Sequence, residues 1–483
     1  MTKGSASMSI NNRYKQNYHA NVLAGWSNDP NGMIYYNNKI RVYYQHYPYE
    51  PKWGIMHWGH FETDDFIKWS YKPLALTPNR PYEEILGCWS GNGIEKDGKL
   101  YMFYTGATPQ RQTQCLAVSE DGVHFIKDES NPIIVAEDLN AGISPTDFRD
   151  PKVIKHDDMY YMFLGIKKDG FGNIALLSSS DLRNWSYVGH LFEPQDNVPE
   201  EFFRLQGVYE CPDYMEIDGH QIIFTSPQHL PTLGNEYENV NSCIYIEGKL
   251  DFNTGHFTIN RIHELDGGTD FYAAQAVSLP DGRLVMMAWK EMWHRFYPTV
   301  QDGWIGTYTI PRELSYENDR LIQRPVRELE NYRTNEVKMN TTHMRDAAFT
   351  VKGVEGTSVD LTVEFDVEEA HRIGVKVFKG PHHETAIYYD SVEDIVVLDR
   401  VNSGIPISGE DDDVNVRRTD VGHKDHIKMR ILLDVSSVEV FIDDGEYVLT
   451  DNVYPDLEDT GIEIFCEGAG TLVSLMKYDI QVD

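Results

Sequence analysis

Five stretches of this chain echo one another at intervals of about sixty residues, and no other feature of the sequence limits its fold as tightly. They read "MIYYNNKIRVYYQHY", "GIEKDGKLYMFYTG", "KVIKHDDMYYMFLG", "DYMEIDGHQIIFTS" and "AVSLPDGRLVMMAW". Each is a short strand, a tight polar turn and a second strand rich in aromatic and β-branched residues, which is the pattern of a β-hairpin. The turns centre on Asn38, Gly98, Asp158, Gly219 and Gly282, spaced by 60, 60, 61 and 63 residues. A second echo follows the first hairpins. Asp65/Trp69, Asp121/Phe125 and Asp181/Trp185 each place an aromatic four residues after an Asp, and "LDFNTGHF" at Asp251 is a looser copy. This reads as a turn Asp feeding an outer strand whose aromatic packs between units. No amphipathic helix stands out. A single unit of this kind cannot bury both faces, but five in a ring can. The expectation is an all-β chain with a five-bladed β-propeller over residues 15–332. A twisted two-sheet solenoid fits four short strands per unit less well.

After "PRELSYENDRLIQRPVRELENYRTNE", which reads as closure and linker, the pattern changes to long alternating strands such as "SVDLTVEFDV" and "HIKMRILLDVSSVEVFIDD". These predict a C-terminal β-sandwich over residues 340–483. The acidic run "GEDDDVNV" at residues 409–416 reads as a solvated loop. At 483 residues and 41% hydrophobic, the chain has material for two cores. Its net charge of −33 argues against nucleic acid and anionic membrane surfaces and suits a small neutral ligand. Five scattered cysteines, Cys88, Cys115, Cys211, Cys243 and Cys466, form no CxxC pair or metal spacing and read as small buried hydrophobes. The N-terminus "MTKGSASMSINNRYKQNYH" lacks an apolar signal-peptide core, and no run approaches membrane-spanning length. A cytoplasmic location is therefore expected, and the sequons at Asn184 and Asn340 carry little meaning.

Aligning the repeats by their turns brings chemistry into view. The first strand of each begins some eight or nine residues earlier, at Asp29-Pro30, Ser90-Gly91, Asp150-Pro151, Glu210-Cys211-Pro212 and, slightly displaced, Gln275. In a propeller the innermost strands surround the central channel, so these starts converge near one mouth of it. Three carboxylates from separate repeats meet there. Carboxylates pushed together raise one another's pKa, an unfavourable arrangement unless it is used or neutralised, and Arg149 offers partial compensation. The plainer reading is a ring of turn residues. "GWSNDPNG" around Asp29 is made of turn formers, and a repeated Asp-Pro has turn logic of its own. The chemical reading is that two carboxyl groups flanking a glycosidic bond suffice for its hydrolysis, while a third holds hydroxyls or steadies the oxocarbenium-like transition state. Trp26, Trp53, Trp58, Trp89 and Trp289 lie in the same segments. Aromatic rings suit the C–H faces of sugars, although any one Trp is more often core.

These motifs resemble those of glycoside hydrolase family 32, the β-fructofuranosidases, over nearly the whole chain. "WSNDPNG" is similar to the family's nucleophile motif, with Ser27 where Met or Leu is usual. "YYQHYPYEPKWGIMHWGH" resembles its sugar-binding loop, and "CWSGNG" its Phe-Ser-Gly-Ser element, with Trp89 for Phe and Asn92 for Ser. "FRDPKV" and "ECPD" match its Arg-Asp-Pro and acid/base motifs. "DFYAAQ", "GWIGTYTIPREL" and "DVSSVEVFIDDGE" resemble its last blade, closure and sandwich signature. The "WMN" usual after the fifth-blade strand reads "WKEMW" here. The resemblance implies a retaining β-fructofuranosidase acting by double displacement. Its substrates would be the terminal β-D-fructofuranoside of sucrose and of short fructo-oligosaccharides, with sucrose 6-phosphate as a further candidate. Asp29 then corresponds to the nucleophile, Glu210 to the acid/base and Asp150 to the transition-state stabiliser. Asn28, Gln45, Trp53, Trp89, Ser90, Arg149 and Trp289 correspond to substrate-binding positions. No metal or organic cofactor is implied.

Other readings are weaker. A retired propeller binding fructan as a lectin would have lost a catalytic carboxylate, and all three are present. A fructosyltransferase shares the same intermediate, for which water and sugar compete. Inverting glycosidases need their carboxyls farther apart. His57 and His60 lack a matching set of metal ligands and read as structural. "GCWSGNG" does not fit the G-x-S-x-G elbow of a serine hydrolase.

Overall fold

The computed structural model describes residues 10–409 and 414–482. Residues 410–413, within the acidic run, lie outside the described residues, as do the first nine. The repeat units are five antiparallel sheets. Blade I holds Gly25–Tyr36, Lys39–Tyr47, His57–Thr63 and Ser70–Leu76, and blade II begins with Gly87–Lys96, Lys99–Thr108 and Arg111–Ser119. Blade III holds Ile143–His156, Met159–Lys168, Phe171–Ser179 and Ser186–His190. Blade IV holds Tyr209–Ile217, His220–Pro227, Ile244–Leu250 and Phe257–Glu264. Blade V holds Tyr272–Ser278, Leu284–Trp289, Arg312–Glu317 and Arg320–Pro325. The first strand of each blade contacts the first strands of both neighbours, and blade V meets blade I. The units therefore close into a five-bladed β-propeller rather than a solenoid. Closure is tied by Trp304–Ile305, which pairs in parallel with Gly25 and Trp26.

Local chemistry explains the hairpins. Asn37/Asn38, Asp97/Gly98 and Asp218/Gly219 all take positive φ, as a two-residue turn between right-twisted strands requires. The second echo also has a physical basis. Asp65, Asp121 and Asp181 each accept the backbone N–H groups two and three residues on, which turns the chain into the outer strand. The aromatics of the second and third copies join blades, whereas Trp69 packs on Phe61 of its own blade at 4.9 Å. Phe125 meets Tyr43 of blade I edge-on at 5.5 Å, and Trp185 meets Phe103 of blade II at 5.8 Å. In the looser fourth copy Phe252 takes this part, stacked on His156 of blade III at 3.9 Å.

The C-terminal domain is a β-sandwich whose two sheets share one long strand, Gly461–Ile480. The first half of that strand pairs with Arg372–Lys379 and the second with Ser358–Asp366. Between the sheets lies an aliphatic core that includes Val359, Leu361, Ile373, Val375, Ile431 and Ile464.

Propeller and sandwich also share a core, in which Tyr18, Trp289, Trp304 and Ile310 join Leu432, Phe441, Val448 and Tyr454. Buried charge crosses the same boundary. His19 bridges Asp434 at 2.8 Å and Glu439 at 2.9 Å, and Arg312 bonds Glu439 at 2.8 Å, all fully buried. Burial acts to raise the Glu439 carboxyl. Arg312, the His19 hydrogen bond and Lys290 outweigh it and hold the pKa at about 2, below the ordinary 4.5. The ionised carboxylate is the form the fold favours. Its stabilisation is complete above pH 4.5 and is lost as pH falls towards 2. Glu439→Gln should lower Tm at neutral pH, because Arg312 loses a buried counter-charge. It should also flatten the fall of Tm between pH 5 and pH 2, which calorimetry across that range would measure.

Candidate active site

Each innermost strand breaks register with its neighbour at the same end of the propeller. The shifts fall between Ser27 and Pro30, Trp89 and Gly91, Arg149 and Lys152, Glu210 and Asp213, and Tyr272 and Gln275. A bulge of this kind bends the strand and re-aims side chains, and bulges gather at barrel rims and active sites. Asp150, Cys211 and Ala273 take positive φ within them, at 62°, 49° and 55°. The pairing corrects the alignment made by counting back from the turns. Glu210 is the counterpart of Arg149, and Asp150 that of Cys211. Extra bulged residues are invisible to a count along the sequence.

The corrected register explains who meets whom. Arg149, Glu210 and Tyr272 are counterparts on successive blades, and they bond in that order. Arg149 donates to Glu210 Oε1 through Nε at 3.1 Å and Nη2 at 2.9 Å. Tyr272 donates its hydroxyl to Glu210 Oε2. One step on, the Cys211 backbone N–H donates to Asp150 Oδ2 at 3.0 Å. The Asp29 Oδ2 accepts from the Ser90 hydroxyl at 2.5 Å and from the Cys211 thiol at 3.5 Å. Its Oδ1 is buried with no hydrogen-bond partner.

Of these groups Asp29, Ser90, Arg149, Asp150 and Glu210 line a cavity of about 400 Å³, within the usual range for small-molecule sites. Nine of the ten sequence-derived site residues reach it: Asn28, Asp29, Gln45, Trp53, Trp89, Ser90, Arg149, Asp150 and Glu210. Trp53 is 39% exposed and meets Trp89 edge-on at 6.3 Å, giving one wall an aromatic face. Asn28 is held by the Trp26 indole N–H at 2.8 Å, and Gln45 by the Cys88 carbonyl at 3.1 Å.

Trp289 is the exception. It is fully buried beneath Trp26 at 5.8 Å and Trp293 at 5.2 Å, in the core shared with the sandwich. The surface expected of it is supplied instead by Trp293 and His294. The sequence carried a hint, because "WKEMW" sets a second Trp four residues on, but only tertiary packing decides which Trp is core. Gln112, Gln228 and Asn241 also line the cavity and carried no motif. Tyr272 escaped notice because the longer turn of blade V displaced the count. His57 and His60 are not drawn to a metal-like cluster. His57 Nδ1 lies 2.9 Å from the Ile55 carbonyl, and His60 stacks on Tyr43 at 4.4 Å, its pKa pushed down to about 3 by burial.

Burial sets the electrostatics of the carboxylates. It raises the Asp29 pKa above the ordinary 3.8; the Ser90 hydrogen bond opposes this and the charge of Glu210 adds to it. Asp150 is also raised by burial, with Arg149 opposing and Glu210 and Asp29 adding. Three carboxyl groups on one cavity, one of them bonded to the Arg149 guanidinium, form a set suited to splitting an acetal bond.

Comparison with known proteins agrees. The model of the glycosyl hydrolases family 32 N-terminal domain matches residues 19–325, and that of the family 32 C-terminal domain matches residues 328–479. The chain belongs to glycosyl hydrolase family 32. This family 32 glycoside hydrolase is 32% identical to the sucrose-6-phosphate hydrolase of Zymomonas mobilis, over 98% of its own length and 93% of the relative's. It is 30% identical to the raffinose invertase of Escherichia coli, over 93% and 91%. Among solved structures it resembles a mutant of the Bombyx mori GH32 beta-fructofuranosidase in complex with sucrose. That match has a TM-score of 0.81 and 30% identity, and covers 98% of this chain and 95% of the other. All five cysteines of the family 32 enzyme are free and buried. Among its described residues no helix is long and apolar enough to cross a membrane.

Proposed function

We propose that this enzyme is a retaining β-fructofuranosidase that hydrolyses sucrose and short fructo-oligosaccharides. The observation that carries the reading is the convergence of three carboxylates from three blades, Asp29, Asp150 and Glu210, on one cavity. A carboxylate oxygen of Asp29 attacks the anomeric carbon of the fructosyl unit as the bond to the leaving oxygen breaks, and Glu210 gives that oxygen its proton. Water then attacks the fructosyl-enzyme, Glu210 takes its proton, and the ester bond to Asp29 breaks. In the resting site Arg149 and Tyr272 hold the two oxygens of Glu210. Asp150, steadied by the Cys211 N–H, binds fructose hydroxyls beside Arg149. Asn28, Gln45 and Ser90 complete the polar floor, and Trp53 and Trp89 offer an aromatic wall.

A neutral substrate fits the lining better than a phosphorylated one. Asp29, Asp147, Asp150 and Glu210 face the cavity against the single guanidinium of Arg149, which is already engaged by Glu210. A dianionic phosphate entering such a site meets like charge. The relatives' names, sucrose-6-phosphate hydrolase and raffinose invertase, support a fructoside substrate of either kind. Parallel kcat/KM measurements on sucrose, sucrose 6-phosphate and 1-kestose test the reading. Sucrose and 1-kestose are expected to exceed sucrose 6-phosphate, and the reverse order would overturn the neutral-sugar preference. Five unpaired, buried cysteines favour a cytoplasmic enzyme.

The pH profile offers a second check. Ionised Asp29 is required for attack, and its raised pKa sets an acid limb above the ordinary 3.8. The Ser90 hydrogen bond holds that pKa down, so Ser90→Ala should move the acid limb of kcat/KM to higher pH and raise KM. A limb that stays in place would remove Asp29 as the group titrating there.

A further inference from the structure

The sandwich is wired to the wall of the substrate cavity. The connection between Leu284–Trp289 and Arg312–Glu317 of blade V, residues 290–311, carries Trp293 and His294 into that wall. A connection of this length has much conformational freedom to lose, so whatever holds it sets the shape of the wall. Its far end is pinned within the propeller by the pairing of Trp304 and Ile305 with Gly25 and Trp26. Its near end is held by the sandwich.

Three contacts bracket Trp293 and His294. Asn452 donates its side-chain N–H to the Lys290 carbonyl. The Met292 N–H donates to the Tyr297 hydroxyl at 2.8 Å, and that hydroxyl donates to Asp270 Oδ1 at 2.5 Å. Asp270 Oδ2 in turn accepts from the Arg400 guanidinium and, at 2.8 Å, from the Asn452 backbone N–H. Beyond His294, Arg295 and Phe296 form a short antiparallel ladder with Gly409 and Ser408 of the sandwich. Arg295 also reaches Asp270 at 3.3 Å and Asn239 at 2.9 Å. Asp270, Arg400 and Asn452 are all buried, so these bonds lie out of competition with water.

We propose that the sandwich takes part in substrate recognition, with Asn452, Arg400 and the Ser408/Gly409 ladder positioning Trp293 and His294 against the leaving sugar. This rests on the fructosidase reading. Trp293 and His294 come from blade V, and Gln228 and Asn241 from beside blade IV, the blade of Glu210, which protonates the departing oxygen. Trp53, Trp89 and Ser90 come from blades I and II, around Asp29, where the fructosyl unit is held. The occupant of the blade IV–V side is therefore the neutral leaving saccharide, glucose in sucrose and a longer chain in an oligosaccharide.

Asn452, more than 150 residues from Trp293 in sequence, is a positioning residue, and a double-mutant cycle separates that role from a merely structural one. Asn452→Ala is expected to raise KM for sucrose and 1-kestose about 3–10-fold with kcat within about 2-fold, because a displaced wall weakens binding before chemistry. In a Trp293→Ala/His294→Ala background the same substitution should leave KM almost unmoved, since the side chains it positions are gone. A lowered Tm with unchanged KM, or equal effects in both backgrounds, would overturn the inference. Should Asn452→Ala fail to fold, Arg400→Lys is carried through the same cycle and judged by the same outcomes. That variant keeps the charge but loses the paired Nε and Nη2 bonds to the Val414 carbonyl that aim Nη1 at Asp270 and the Asn452 carbonyl. A parent enzyme inactive on every fructoside would sink the fructosidase reading instead, whereas normal turnover with an unmoved KM sinks only this inference.

Discussion

Glu210→Gln should turn over sucrose about 10²–10⁴-fold more slowly than the parent enzyme while binding it about as well, because the loss is of proton transfer rather than of contact. Gln keeps the shape and still accepts from Arg149 at the Oε1 position, and its amide N–H can donate to the Tyr272 hydroxyl, which turns its own proton to the Ser226 carbonyl. What it cannot do is protonate the departing oxygen or activate water. The defect should therefore depend on the leaving group. A fructosyl donor whose leaving group departs without a proton should react almost normally in the first step and stall in the second. Near-normal turnover of sucrose by Glu210→Gln would remove Glu210 from its assigned role.

Asp29→Asn should lower kcat by roughly 10⁴–10⁶, the range seen when a covalent nucleophile is removed, and should also stabilise the fold. The two effects share one cause. Burial raises the Asp29 pKa above the ordinary 3.8, so the folded protein favours the protonated carboxyl. That contribution to stability is complete below pH 3.8 and is lost as pH rises through the folded-state value. The Asn variant carries no such titration. Its Tm should match the parent's near pH 4 and exceed it by roughly 1–3 °C near neutral pH, the scale of about 1 kcal/mol in a domain of this size. A variant less stable than the parent at neutral pH would mean that the carboxylate is compensated in the fold, and strain at the site would then need another source.

Much of the architecture was legible because it is written locally. Hairpin turns such as Asp97/Gly98 and Asp218/Gly219 announce themselves through residues that accept positive φ, and alternating strands announce a half-buried face. The sixty-residue interval then implies a ring. The convergence of Asp29, Asp150 and Glu210 on one mouth followed from the same logic. The details of that convergence did not. Bulges at Asp150 and Cys211 shift the register by amounts that no periodicity records, so Glu210 stands beside Arg149 and Tyr272 rather than opposite Asp150.

The misplacement of Trp289 has a similar origin. Trp289 and Trp293 are chemically identical and four residues apart, and the sandwich packing against blade V decides which one is buried. His19, Arg312 and Glu439 likewise look like surface residues in the sequence. Only the meeting of the two domains shows them as a buried polar joint.

The central claim is that Asp29 forms a covalent bond to the fructosyl unit, and mass spectrometry of a trapped enzyme tests it most directly. The Glu210→Ala enzyme, treated with a fructosyl donor that needs no acid catalysis, lacks the base that would release the intermediate. The expected result is a single added fructosyl unit on the peptide that contains Asp29. Rapid release of free fructose with inverted anomeric configuration and no adduct, or an adduct on any other residue, would contradict it.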